Sequence, residues 1–212
     1  MQKKYCERGR NDTWLGEYGR MVSSKMYYKV CRDLIAEVIE LFDTPRFFHL
    51  GMDEETIENQ KVHNYVTLRQ NDLWWGDLYF YLGEVEKKGV RGWVWSDYAW
   101  GNSDIFFKKM PRSVIQSNWY YRDAFDEETM KKPFLKLYDD LDKYGFDQIP
   151  TGSNHYDKAQ NMELTVDHCK KVIDPSRLLG FMESPWRPTL KPCLDRHLNA
   201  IAQMERAMKK IN

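Results

Sequence analysis

Five short apolar runs alternate with helical stretches along this 212-residue chain, and that rhythm limits its fold more than any other feature. The runs cover 47–51, 90–95, 113–117, 146–151 and 178–182. Ahead of the first, Tyr27, Val30, Cys31, Leu34, Ile35, Val38 and Phe42 recur at helical spacing, so one face of that helix is apolar. Ser23-Ser24 offers the cap that starts it, and Pro45 ends it. Further helices are expected over 62–88, stopped by Gly89, over 106–109, halted by Pro111, and over 127–144, ended by Gly145. Two more are expected over 164–173 and 194–210. Helix and strand in strict alternation predict parallel strands covered by helices. Right-handed crossovers then bring all strand C-termini to one edge.

That edge collects chemistry. The residues following the five runs are Asp53-Glu54-Glu55, Ser96-Asp97-Tyr98, Asn118-Trp119-Tyr120, Ser153-Asn154-His155-Tyr156 and Glu183-Ser184-Pro185-Trp186. In a barrel of parallel strands this is the edge where reactions are run. Asp53 and Glu54 are neighbours and point different ways, so they need not share a role. Two close carboxylates oppose each other's ionisation, and one can keep its proton as a general acid. The plainer alternative is a helix N-terminus, where acidic residues favour the dipole.

Composition narrows the partners. The chain has 32 basic and 32 acidic side chains, a balance that argues against a nucleic-acid or acidic-membrane binder. No stretch reaches the roughly 20 apolar residues of a membrane span, and the first residues show no apolar signal core. Cys6, Cys31, Cys169 and Cys193 form no CxxC pair, and no cluster of metal-ligand spacing, phosphate loop or dinucleotide fingerprint occurs. No metal and no cofactor is therefore expected. Eight Trp beside 13 Tyr and 10 Phe can serve as core, as a partner surface, or as walls of a sugar or base pocket.

The segment Phe48-His49-Leu50-Gly51-Met52-Asp53-Glu54 closely resembles the H-x-G-G-D-E signature of glycoside hydrolase family 20, the β-N-acetylhexosaminidases. Trp95-Ser96-Asp97 and Val114-Ile115-Gln116-Ser117-Asn118-Trp119 are similar to later segments of that family, in the same order. The resemblance implies a (β/α)8 barrel, of which this chain carries strands four to eight: a partial TIM-type barrel, α/β in class, over 1–212 with an irregular lead-in at 1–26. Strands one to three find no room in this sequence, so a missing N-terminal segment or a partner chain is expected to complete the wall.

The resemblance also implies an activity, the removal of terminal N-acetylhexosamine with the sugar's own acetamido oxygen as nucleophile. Glu54 would be the general acid/base, with a raised pKa, and Asp53 would hold the acetamido N–H. His49 would orient the pair. Trp95, Trp119 and Trp186 would wall the sugar, with Tyr156 and Glu183 as further binding groups. His49 as a hydrogen-bonded core residue, and the tryptophans as packing, are the plain alternatives. Trp74, Trp75 and Trp93 are read as core or helix-facing. Family members are commonly secreted or periplasmic, though this chain shows no address of its own.

Three features depart from the family. Met52 replaces the second glycine, Tyr156-Asp157 lacks the spacer of Tyr-x-Asp, and Glu183 precedes Trp186 where the family has Trp-x-Glu. Two other readings stay open. One is an ordinary retaining glycosidase using Glu54 and Glu183, whose carboxyls would then stand about 5–5.5 Å apart. The other is a non-catalytic barrel remnant that binds sugar or only packs against a partner.

Overall fold

Ser24 opens the first helix, α1 (Lys25–Leu41), by accepting the Tyr27 backbone N–H on its Oγ at 3.2 Å, which satisfies one of the helix's orphan donors. The computed structural model describes residues 22–61, 68–156 and 160–210. These divide between Trp93 and Val94 into two units, each with its own core.

In the first unit, α1 is followed by strand β1 (Phe47–His49), the short helix α2 (Ile57–Gln60) and helix α3 (Asp72–Glu86). Helix α1 packs on α3 through Tyr27, Ile35 and Ile39. Helix α3 buries Trp74, Trp75, Leu78, Leu82 and Val85, so the core reading of Trp74 and Trp75 holds. Gly89, at φ +73, turns the chain out of α3. Strand β2 (Arg91–Trp95) follows and runs across the division. β1 lies parallel to its first part, with Phe47 opposite Arg91 and His49 opposite Trp93. The Leu50 N–H extends the pairing by donating to the Trp93 carbonyl at 2.8 Å. Gly92 lets strand and helix approach, because a Cβ there would stand 2.4 Å from Leu82 Cδ2.

The expected helix over 62–88 is shorter than its pattern. Residues 62–67 lie outside the described residues, 68–70 are not helical, and α3 begins at Asp72. The reason is electrostatic: Arg69 is bound through both backbone and guanidinium to Glu55, which holds this stretch against the acidic loop.

The second unit repeats the alternation: helix α4 (Tyr98–Lys109), strand β3 (Ile115–Ser117), helices α5 (Glu127–Met130) and α6 (Pro133–Lys143), strand β4 (Thr151–Gly152), helix α7 (Asn161–Val172), strand β5 (Met182–Glu183) and helix α8 (Leu194–Met208). The Ser96 N–H donates to the Ser117 carbonyl at 3.1 Å, and the Thr151 N–H to the Asn118 carbonyl at 2.9 Å. β4 lies parallel to β5, Thr151 opposite Met182 and Gly152 opposite Glu183. Parallel bridges also join Gln116 to Gln148 and Gln148 to Leu178. Tyr120, Leu135, Tyr138, Cys169 and Ile173 form one core cluster, and Met162, Val166 and Ala207 another.

The architecture is thus mixed α/β with short parallel strands in two small sheets. Among the described residues no pairing closes a ring, so the barrel expected from the sequence is seen here only as consecutive parallel neighbours. The strands are shorter than their apolar runs for local reasons. Pro150 has no N–H and divides 146–151 into a bridge at Gln148 and the strand at Thr151. Gly180, at φ +153, divides 178–182 in the same way. Pro133, at the first position of α6, splits the helix expected over 127–144.

Candidate functional site

The carboxylate segment starts from β1. Within five residues of its end at His49, Gly51, Met52 and Glu54 take φ +74, +77 and +52. Left-handed backbone is ordinary for glycine but costs other residues about 1–2 kcal/mol each. Two such residues, Met52 next to the acidic pair and Glu54 within it, mark a loop that its surroundings hold in place. His49 supplies one hold: its Nδ1 accepts the Gly51 N–H at 3.0 Å, which leaves the ring proton on Nε2. Trp93 supports the ring edge-on, with centroids 4.6 Å apart. Burial lowers the His49 pKa to about 4, so the imidazole is neutral at pH 7.

Asp53 is half-buried and Glu54 is exposed. Burial raises the Asp53 carboxyl above the usual range, and a bond to its own backbone N–H works the other way. The carboxyl folds back over the loop, with Oδ1 3.7 Å from where a Cβ on Gly51 would sit. Glu54 turns the backbone, its carbonyl accepting the Thr56 N–H at 2.8 Å. Glu55 points back into the unit, toward Arg69.

Trp93 does not face the helices. Gly92 and Val94 are the buried residues of β2, and Gly92 is the one against α3. Trp93 alternates with them and shares the His49 face. The sequence signal was present: the glycine immediately before Trp93 marks the helix-facing parity of the strand by its lack of a side chain.

The second unit gathers aromatic side chains at its strand ends. Trp95 and Trp186 rings lie 6.3 Å apart, Tyr121 and Trp186 6.4 Å, and Trp119 stacks on Tyr121 at 4.9 Å. Trp100 joins Trp119 at 4.5 Å and anchors by donating its indole N–H to Asn118 Oδ1 at 3.0 Å. Trp95, Trp119 and Trp186, all expected from the sequence, therefore belong to one group, and Tyr121 and Trp100 belong to it unexpectedly. Trp186 is exposed on a left-handed residue, φ +47. Asn161 braces this edge from α7, its Nδ2 donating to the carbonyls of Tyr120 and Arg122 at 2.9 and 2.8 Å.

Tyr156 stands apart from that group. Its ring meets His155 edge-on at 4.9 Å, and the Arg122 guanidinium lies 5.3 Å from it. Asp157 lies outside the described residues. Glu183 also has other company. It shares a face with Gly152, whose missing Cβ would meet Met162 and Asn161 of α7, so its carboxyl looks toward the helices. Burial raises its pKa to about 8, the nearby Glu163 adding to the shift and Arg206 opposing it. Among the described residues no group of three or more His, Cys, Asp or Glu side chains is arranged to hold a metal ion. No described helix is long and apolar enough to cross a membrane.

No protein-family model matches the chain, and no curated protein sequence does. Solved structures do match. A chitobiase from Flavobacterium johnsoniae is similar over 90% of this chain and 32% of that one, with 15% identity and a TM-score of 0.55. An exo-β-N-acetylglucosaminidase of glycoside hydrolase family 20 from Vibrio harveyi, in complex with N-acetylglucosamine, is similar over 83% of this chain and 30% of that one, with 17% identity and a TM-score of 0.50. An inactive mutant of the Vibrio enzyme gives a TM-score of 0.52 over the same shares. The chain thus spans about a third of the length of these structures. At such identities the likeness is one of fold.

Proposed function

We propose that this chain is part of a glycoside hydrolase that removes terminal N-acetylhexosamine residues, corresponding to strands four to eight of a family 20 barrel. One observation carries the reading: an Asp-Glu pair sits in a strained loop at the C-terminal end of a parallel strand, in a chain whose fold resembles those enzymes. Strain concentrated at such an edge is a feature of working sites.

In the proposed reaction the acetamido oxygen of the substrate attacks the anomeric carbon as the glycosidic bond breaks. The Glu54 carboxyl gives its proton to the leaving oxygen, releasing the alcohol. The sugar is left as an oxazolinium ion, whose N–H the Asp53 carboxylate holds and whose charge it offsets. Glu54, now ionised, takes a proton from water as that water opens the ring with net retention. His49, neutral and bonded to the Gly51 N–H, keeps the loop in its turn. The aromatic faces of Trp95, Trp119 and Trp186 suit the C–H faces of a pyranose. Glu183 has no part in this scheme, since its carboxyl looks toward α7. A missing segment or a partner chain would supply the rest of the sugar site.

The test is E54Q in the natural protein that bears this segment, assayed on a chromogenic N-acetyl-β-glucosaminide. Turnover should be nearly abolished while sugar binding persists. Native turnover in E54Q refutes the role of Glu54.

A further inference from the structure

The acidic segment holds a third carboxylate that the proposed chemistry does not use. Glu55 is nearly buried and receives the Arg69 guanidinium two-handed: Nε donates to Oε1 at 3.0 Å and to Oε2 at 2.8 Å, and Nη2 also bonds Oε2. The Arg69 backbone N–H donates to the same carboxylate. The other arm of the guanidinium reaches inward. Nη1 donates to Asp77 Oδ2 at 3.1 Å and lies 3.4 Å from the Tyr81 hydroxyl. Asp77 is fully buried on α3 and is itself fixed by the hydroxyls of Tyr28 and Ser23, the latter at 3.1 Å from both oxygens. Burial works against the charge on Arg69, but Glu55 more than offsets it, so the guanidinium stays protonated.

We infer that Arg69 is a positioning residue for the acidic pair. The backbone at Gly51, Met52 and Glu54 is left-handed, and left to itself would relax. His49 ties the loop at its start, and Glu55 ties it immediately after Glu54. Arg69 joins that second tie to the buried carboxylate of α3, so the helix sets where Glu54 stands. A lysine cannot replace this geometry, because it carries one point charge rather than a planar fork. The role rests on the reaction proposed above, while the clamp itself does not.

The experiment compares R69K and R69M with the native protein by two readouts. The first is amide hydrogen exchange over 51–56, which needs no activity. Both variants should lose protection there while α1 and α3 keep theirs; unchanged protection overturns the clamp. The second is steady-state kinetics on the chromogenic substrate. For a displacement of about 1 Å, kcat should fall about 10²-fold with KM little changed, and R69K should recover thermal stability but not kcat. A native kcat in R69K, or a loss matching only the unfolded fraction, overturns the positioning role. A native protein without turnover refutes the hydrolase reading instead, and exchange then decides the clamp alone.

Discussion

Met52 sets two energies against each other at one position. Its backbone is left-handed, φ +77, where glycine would be relaxed, and the residue is only 7% exposed. Replacing it by glycine relieves about 1–2 kcal/mol of strain. The same change removes a buried thioether chain, and truncating a buried methionine even to alanine costs about 2–5 kcal/mol. Glycine's freedom when unfolded cancels part of that relief, so packing wins and M52G should lose about 1–5 kcal/mol. For a chain of this length each kcal/mol lowers Tm by roughly 2–4 °C. M52A keeps the strain and loses most of the packing. It should therefore fall below M52G by up to about 1 kcal/mol, since glycine's extra freedom when unfolded offsets part of the difference. Urea unfolding followed by tryptophan fluorescence gives the order native, M52G, M52A. M52G equal to or above native would show that strain dominates; M52A above M52G would show that position 52 has no need of glycine. The first result excludes packing under the loop as what holds the acidic pair in its turn, and the second excludes backbone strain at Met52.

The other predictions concern charge and close approach. Glu183 has a folded pKa of about 8, above its unfolded value, so the folded state favours the proton and stability falls as pH rises from the ordinary carboxylate range to about 8. E183Q, neutral throughout, should flatten Tm against pH over that window; an unchanged slope contradicts the placement of this carboxyl. His49 goes the other way. Its folded pKa of about 4 lies below the unfolded value of about 6.5, so its stabilisation is present above that unfolded value and lost as pH falls toward 4. H49Q should remove this part of the acid limb in a pH series of unfolding midpoints, and an identical limb would show that His49 titrates as it does in water. Gly92 accepts no side chain without moving Leu82, so G92A should cost about 1–3 kcal/mol by overpacking. Calorimetry showing native stability would refute the close approach of β2 to α3.

The alternation of helix and strand was readable because apolar spacing reports which faces are covered. Strand lengths were not, because Pro150 and Gly180 interrupt ladders whose apolar pattern continues through them. The position of the acidic pair after β1 was legible from local spacing alone. What holds it was not: Glu55 and Arg69 are 14 residues apart, and no periodicity links them. The face of Trp93 could have been read from Gly92, whereas the grouping of Trp100 and Tyr121 with Trp119 depends on how loops return. Glu183 illustrates the limit of reading an edge as a line of residues. It follows an apolar run as the others do, yet its register opposite Gly152 turns it toward α7.

In the chemistry proposed for this chain the substrate's own amide is the nucleophile, and Asp53 and Glu54 assist it. The most direct measurement compares kcat on chromogenic β-glucosaminides bearing acetyl and trifluoroacetyl on nitrogen, with E54Q alongside. Fluorine withdraws electrons from the attacking oxygen, so kcat should fall steeply for the fluorinated sugar and be almost wholly lost in E54Q. Equal rates on both sugars, or full activity in E54Q, would contradict it.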